Sequence, residues 1–147
     1  MRLLFFFLPL VAGVAITTQA GVNSRLRVAV GSPTVAALIS FLIGTLVLAA
    51  FVGVSRQPLP STAELASARI ADYLGGLLGA LFVTIIIVSA NRIGASSLFA
   101  LVVAGQLTTA LLYDHFGLLG FRQSHVTPTR VFGALLLIAG AYFVNRK

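Results

Sequence analysis

The chain has 147 residues, 59% of them hydrophobic and 9% charged, with a mean hydropathy of +1.05; a composition this apolar excludes an ordinary soluble domain and indicates an integral membrane protein. There is no cysteine, and two histidines with three carboxylates form no cluster of metal-ligand spacing, so disulfides, thiolate metal sites and a bound metal or other cofactor are not expected. The formal charge of +7 would suggest nucleic acid in a soluble protein, but the basic residues are spread over short connections between apolar runs, and anionic lipid headgroups are the expected partner instead.

A hydrocarbon core about 30 Å thick takes roughly 20 residues of apolar helix. Five windows qualify, near residues 3–20, 34–54, 71–90, 94–113 and 129–145, and together they read as one five-helix, all-α transmembrane domain spanning 1–147. The first window holds the run LLFFFLPLVAGVAIT, in which Pro9 is tolerable because a freed carbonyl can be satisfied inside the protein. Arg2, the apolar run and TQA before Gly21 also fit a secretory leader; a retained first span is the reading preferred here. Ser32 and Pro33 supply a cap and a first-turn proline for the second helix. Ser61 and Glu64 form a capping-box pattern for a short interfacial helix running into Ala71. Spans three and four are separated by NRIG alone, which predicts a tight antiparallel hairpin, and the Gly- and Pro-punctuated stretch DHFGLLGFRQSHVTP predicts a loop before the last span. Tyr73, Tyr113 and Tyr142, near span ends, fit an aromatic belt.

Small residues four apart mark helix contact faces in lipid. Gly13, Thr17 and Gly21 line the first span, Ala36, Ser40 and Gly44 the second, Gly75 and Gly79 the third, and Ser96, Ala100, Ala104 and Thr108 the fourth. In the last span Gly133 and Gly140 lie two helical turns apart and predict a flat groove suited to the helix crossing of a dimer.

An odd number of spans puts the termini on opposite sides. Arg2, Arg56, Arg69, Arg122 and Arg130 then share one side, and Arg25, Arg27, Arg92, Arg146 and Lys147 the other. A five-against-five division removes the Lys/Arg asymmetry that orients membrane proteins. Either orientation is expected to insert, and two antiparallel copies would reproduce the inverted-repeat architecture of secondary transporters, with a substrate site near the midplane. Such a partner is an identical chain or a homologous subunit of opposite bias.

The polar residues suggest where a site would lie. If the first helix continues to about Val30, Gln19, Asn23 and Arg27 recur at four-residue spacing on one face. That stripe either lines an entrance for a polar or anionic substrate, or bonds the first helix to the second. Gln106 lies well inside the fourth span, and its amide also needs partners. Gln19, Asn23, Arg25, Ser40 and Gln106 are the expected substrate-binding residues, with Gly133 and Gly140 at the dimer interface. Asp72, Asp114 and Glu64 read as solvated helix-end or loop charges, with a structural pairing of Asp114 to a nearby arginine as the alternative, and His115 and His125 as loop residues. Nothing resembles a nucleophile with its base or a phosphate-binding Gly loop, so an enzyme is not expected.

The stretches QAGVNSRLRVAVGSPTVAALISFLIGTLVL, GGLLGALFV, VAGQLTTALLYDHFGLLG and GALLLIAG, covering nearly the whole chain, resemble the YdcZ-type family of the drug/metabolite transporter superfamily. The resemblance implies a five-span bacterial inner-membrane protein that works as an antiparallel pair and transports a small molecule, with an exporter the favoured direction. The Gly133 to Gly140 pattern is similar to the dimerisation helix of the small multidrug resistance proteins. Those carry a membrane-embedded Glu in the first span; this chain has Thr17, Thr18 and Gln19 at the comparable depth. The competing reading is a non-transporting accessory or structural membrane subunit, in which the amides only tie helices together.

Overall fold

A computed structural model describes residues 2–146, with the backbone alone for residues 2–6. Of the cations sorted by side above, Lys147 and the side chain of Arg2 lie outside the described residues. Among those residues the chain is helical and has no strand: α1 (Arg2–Val30), α2 (Pro33–Val54), α3 (Thr62–Ser67), α4 (Leu74–Ile93), α5 (Ala95–Phe116) and α6 (Pro128–Asn145), with 3-10 turns at Ile70–Tyr73 and Leu118–Gly120. Lipid dictates this outcome, because it offers no hydrogen-bond partner and a helix satisfies its own backbone.

Among the described residues, four helical stretches are long and apolar enough to cross a membrane: Pro33–Val54, Ile70–Ile93, Ala95–Phe116 and Pro128–Asn145. Helix α1 is 29 residues long. Its apolar first half gives way at Thr17 to a run containing Gln19, Asn23, Arg25 and Arg27. Large apolar side chains such as Leu46, Val47, Leu48 and Phe51 are exposed. In water that would be an aggregation surface; in lipid it is the expected exterior.

The chain divides into two compact units, residues 1–92 and 93–147. In the first, α1 and α2 pack as a hairpin turned at Gly31, whose φ of +74° is a conformation that favours glycine. Ser32 caps α2 by accepting a hydrogen bond from the Val35 N–H at 3.3 Å, with Pro33 in the first turn as expected. Ala36 and Ala37 of α2 and Val83 and Ile87 of α4 form the buried core, flanked by Leu26, Val30 and Phe82. The two alanines leave room for Ile87, which is fully enclosed. A Cβ at Gly79 would sit 3.5 Å from the ring of Phe41, so α4 meets α2 there at van der Waals contact.

In the second unit α5 packs on α6, whose buried seam is Ala134 and Ala141. Helix α5 runs to Phe116, so His115 belongs to its last turn rather than to the loop; Gly117, at φ 61° and ψ 37°, stops the helix in the left-handed conformation. A Cβ at Gly117 would also come within 3.3 Å of Gln123, so both backbone and space require glycine there.

Between α2 and α4 the capping box forms as expected. The Ser61 N–H donates to Glu64 Oε2 at 2.7 Å, and the Glu64 N–H donates to Ser61 Oγ at 3.2 Å. The short helix does not run on into Ala71: it ends at Ser67, and a separate 3-10 turn leads into α4. The Ser61 backbone N–H, and after it the Ser61 hydroxyl, hold the Glu64 carboxyl below its ordinary value. A lowered carboxylate pKa means that this stabilisation is complete above the ordinary Glu value and is lost as pH falls through the lowered one. An NMR titration of the Glu64 carboxyl carbon should therefore give a midpoint below that of a free glutamate. Ser61→Ala, which keeps the backbone donor and deletes the hydroxyl, should move the midpoint only part of the way back.

Candidate functional site

Helix α1 places a polar stripe inside the first unit. Ala20, Asn23 and Ser24 are buried and Arg27 is half-buried, a spacing that lies along one helical face. Ser24 is 6% exposed and donates its hydroxyl to Asn91 Oδ1 at 2.7 Å. One turn further on, Arg27 Nη1 donates to the Ile87 carbonyl at 3.3 Å. The C-terminal ends of α1 and α4 are thus brought together by side chains, with Arg27 in the last turn of α1 and Arg92 in the last turn of α4, where positive charge suits the helix dipole.

The expected site residues are distributed as follows. Asn23 is buried, at 3% exposure, between its neighbours on this stripe. Gln19 and Arg25 flank the stripe on the exposed surface of α1, and Ser40 of α2 is half-buried. Gln106, in the middle of α5, belongs to the second unit and is exposed on its surface. Sequence reasoning did not assign Ser24 a role or pair it with Asn91. Ser24 is one residue away from the four-residue repeat through Gln19 and Asn23, and only packing reveals that the buried face runs through Ala20 and Ser24 rather than Gln19.

Five threonine hydroxyls of the apolar helices are self-satisfied. Thr17, Thr18, Thr45, Thr84 and Thr108 each donate to the carbonyl four residues back at 2.8–2.9 Å. They are spent on their own backbone.

The second unit has its own polar network at the α5–α6 connection. Arg130 pairs with Asp114, so that this carboxylate is a structural ion-pair partner rather than a solvated helix-end charge, and the other Arg130 amino group donates to the Ser124 carbonyl at 3.0 Å and to Ser124 Oγ at 3.1 Å. The Ser124 N–H donates to the Asp114 carbonyl at 2.8 Å, and the Val126 N–H donates to His115 Nδ1 at 3.2 Å. The rings of His115 and His125 meet edge to face, 5.5 Å between centres. This network closes the loop between the helices; its charge is balanced and its bonds are internal. On α6, a Cβ at Gly133 or Gly140 would meet nothing within 4 Å, and Gly140 borders a shallow apolar cleft of about 470 Å³ with Phe99, Val103 and Leu137. The open glycine pair lies one residue round the helix from the Ala134–Ala141 seam used against α5.

Ser24→Ala should lower the stability of the α1–α4 contact by about 1 kcal/mol, because the Asn91 carbonyl loses its donor. Arg25→Ala, an exposed change, should stay within about 0.5 kcal/mol. Reversible unfolding in mixed detergent micelles, followed by circular dichroism, measures both.

Residues 4–143 match the profile of a family described as "Putative inner membrane exporter, YdcZ". The chain is 30% identical over 142 residues to "Inner membrane protein YdcZ" of Escherichia coli strain K12, an alignment covering 92% of this chain and 91% of that protein. No solved structure matches.

Proposed function

The chain belongs to the YdcZ family of the drug/metabolite transporter superfamily and is a multi-pass transporter of the bacterial inner membrane, not an enzyme; from that premise we propose that it exports a polar or anionic small molecule as a pair of antiparallel copies. In this reading α1 is the fifth span, its polar second half carrying the chain out through the headgroups, and 1–147 acts as one five-helix domain. Gln19, Asn23, Arg25, Ser40 and Gln106 contribute to a polar cavity between the copies, and alternating access comes from one copy rocking against the other.

The observation that carries the paired form is the position of Gln106. It lies midway along a membrane-crossing helix, is exposed, and has no hydrogen-bond partner among the described residues. A bare amide in hydrocarbon costs several kcal/mol on the scale of polar-group transfer, about 4 or more. A second copy or a wet cavity removes that cost, and a transporter dimer supplies both. Gln19, exposed on α1, makes the same demand. The open Gly133–Gly140 face provides a place for close helix approach. The even division of cations supports the antiparallel arrangement, since neither orientation is favoured on insertion.

Two measurements test the proposal. Topology reporters fused to the C-terminus should show both orientations; a single strong orientation removes the homodimer and leaves a homologous partner of opposite bias. Gln106→Leu should leave the crosslinked dimer intact while abolishing stabilisation by whichever small molecules raise the melting temperature of the wild type in a metabolite screen. If Gln106→Leu instead dissolves the dimer and no small molecule stabilises the wild type, the chain is an accessory subunit rather than an exporter.

A further inference from the structure

We infer that the paired ends of α1 and α4 form a binding site for an oxyanion, a carboxylate or phosphate group held by Arg27 together with the amides of Asn23 and Asn91. The first ground is donor inventory. Arg27 commits one N–H, at 3.3 Å, to the Ile87 carbonyl, and the rest of its planar fork is uncommitted. Ser24 occupies Asn91 Oδ1, which orients that amide and leaves its Nδ2 hydrogens to donate.

The second ground is Asn23. It is 3% exposed, and the hydrogen bonds of the described residues leave its amide without a partner. No fully enclosed side-chain nitrogen or oxygen lacks a partner among those residues, so the Asn23 amide is not sealed into apolar packing and still reaches a small opening. Water can serve the amide through that opening, and a bound oxyanion would take the place of that water as acceptor.

The third ground is charge. Arg25 and Arg92 adjoin Ser24 and Asn91 in sequence and add to the positive potential of this end. All three carboxylates of the chain are engaged elsewhere: Glu64 with Ser61, Asp72 with Arg69 and Asp114 with Arg130. No carboxylate balances this end, and its three arginines outweigh the partial negative charges of the two helix C-termini, about half a unit each; such a donor-rich, cationic end is complementary to an oxyanion, and the guanidinium fork matches two oxygens of one carboxylate or phosphate. Water access at the helix ends lets an anion arrive without crossing hydrocarbon. That the bound group is cargo rests on the export reading; that it is an oxyanion does not.

The test uses full-length protein in nanodiscs of zwitterionic phosphatidylcholine, with inorganic phosphate as probe, sodium chloride at matched ionic strength as control, and thermal unfolding followed by circular dichroism. Phosphate should raise the melting temperature saturably. The apparent affinity should fall roughly tenfold or more in Arg27→Gln, the loss expected for a charged hydrogen bond, and also in Asn23→Leu. Arg56→Gln, an exposed cation at the far end of α2, should bind as the wild type does. If Arg27→Gln does not fold, Arg27→Lys keeps the charge, loses the fork and should still weaken binding. If phosphate has no effect but nanodiscs containing phosphatidylglycerol stabilise the wild type and not the Arg27 or Asn23 variants, the site holds and its oxyanion is a lipid headgroup. No stabilisation by either probe, or equal stabilisation of wild type and variants, overturns the inference. Both-way insertion and a Gln106-dependent ligand effect would then still support export, so the two readings fail separately.

Discussion

The organising constraint is that lipid solvates apolar side chains and nothing else. Every backbone group must then be bonded within the chain, which makes the fold helical, and every polar side chain at depth needs a protein partner, a water-filled space or a ligand. The threonines meet this demand by bonding their own helix, four residues back. The apolar side chains meet it by remaining outside, and so the protein core is thin: the centre of the first unit is Ala36, Ala37, Val83 and Ile87. With so little apolar burial between helices, polar contacts such as Ser24 to Asn91 and Arg27 to Ile87 carry a larger share of the specificity with which α1 meets α4.

The two units treat their arginines differently, and the contrast separates structure from function. Arg130 has a carboxylate, a serine and a loop carbonyl to bond, and its charge is cancelled where it stands. Such a network closes the α5–α6 loop and asks for no ligand. Arg27 has a single long bond to a carbonyl and no carboxylate, beside a buried amide that is itself unpaired. A cation without a carboxylate partner, next to unused donors, is where the proposed oxyanion would gain most. Gln106, exposed on α5, poses a similar requirement in the second unit. The proposed anion site and the proposed pairing both rest on polar groups for which the described residues supply no partner.

Particular residues show how far the linear pattern carries. Ser32 with Pro33, and Ser61 with Glu64, cap helices where their spacing said they would, because a cap is a contact over three residues and needs nothing distant. The ion pair of Asp114 with Arg130 was only an alternative in the linear pattern, because the two residues lie 16 apart and the intervening loop decides whether they meet. His115 was not placed correctly, because a helix ends where a backbone turns left-handed, and Gly117 rather than the preceding polar residues makes that turn. For α1, four-residue spacing selected Gln19 and Asn23 as companions. Each residue turns the helix about 100°, so four residues overshoot a full turn and a stripe drawn that way drifts round the axis. Packing chose Ala20, Asn23, Ser24 and Arg27 instead.

The sequence by itself determined the class, the order of the four described helices that can cross a membrane, the helix caps and the absence of a mid-span acid, because each depends on composition or on neighbours within one helical turn. Only the tertiary structure decided which face of α1 is buried, that Ser24 bonds Asn91, that Arg27 is left with spare donors, and that Gln106 is turned outward. These depend on which helix lies beside which. In lipid, where apolar burial hardly discriminates between one helix face and another, that choice is made by small residues and a few polar contacts far apart along the chain.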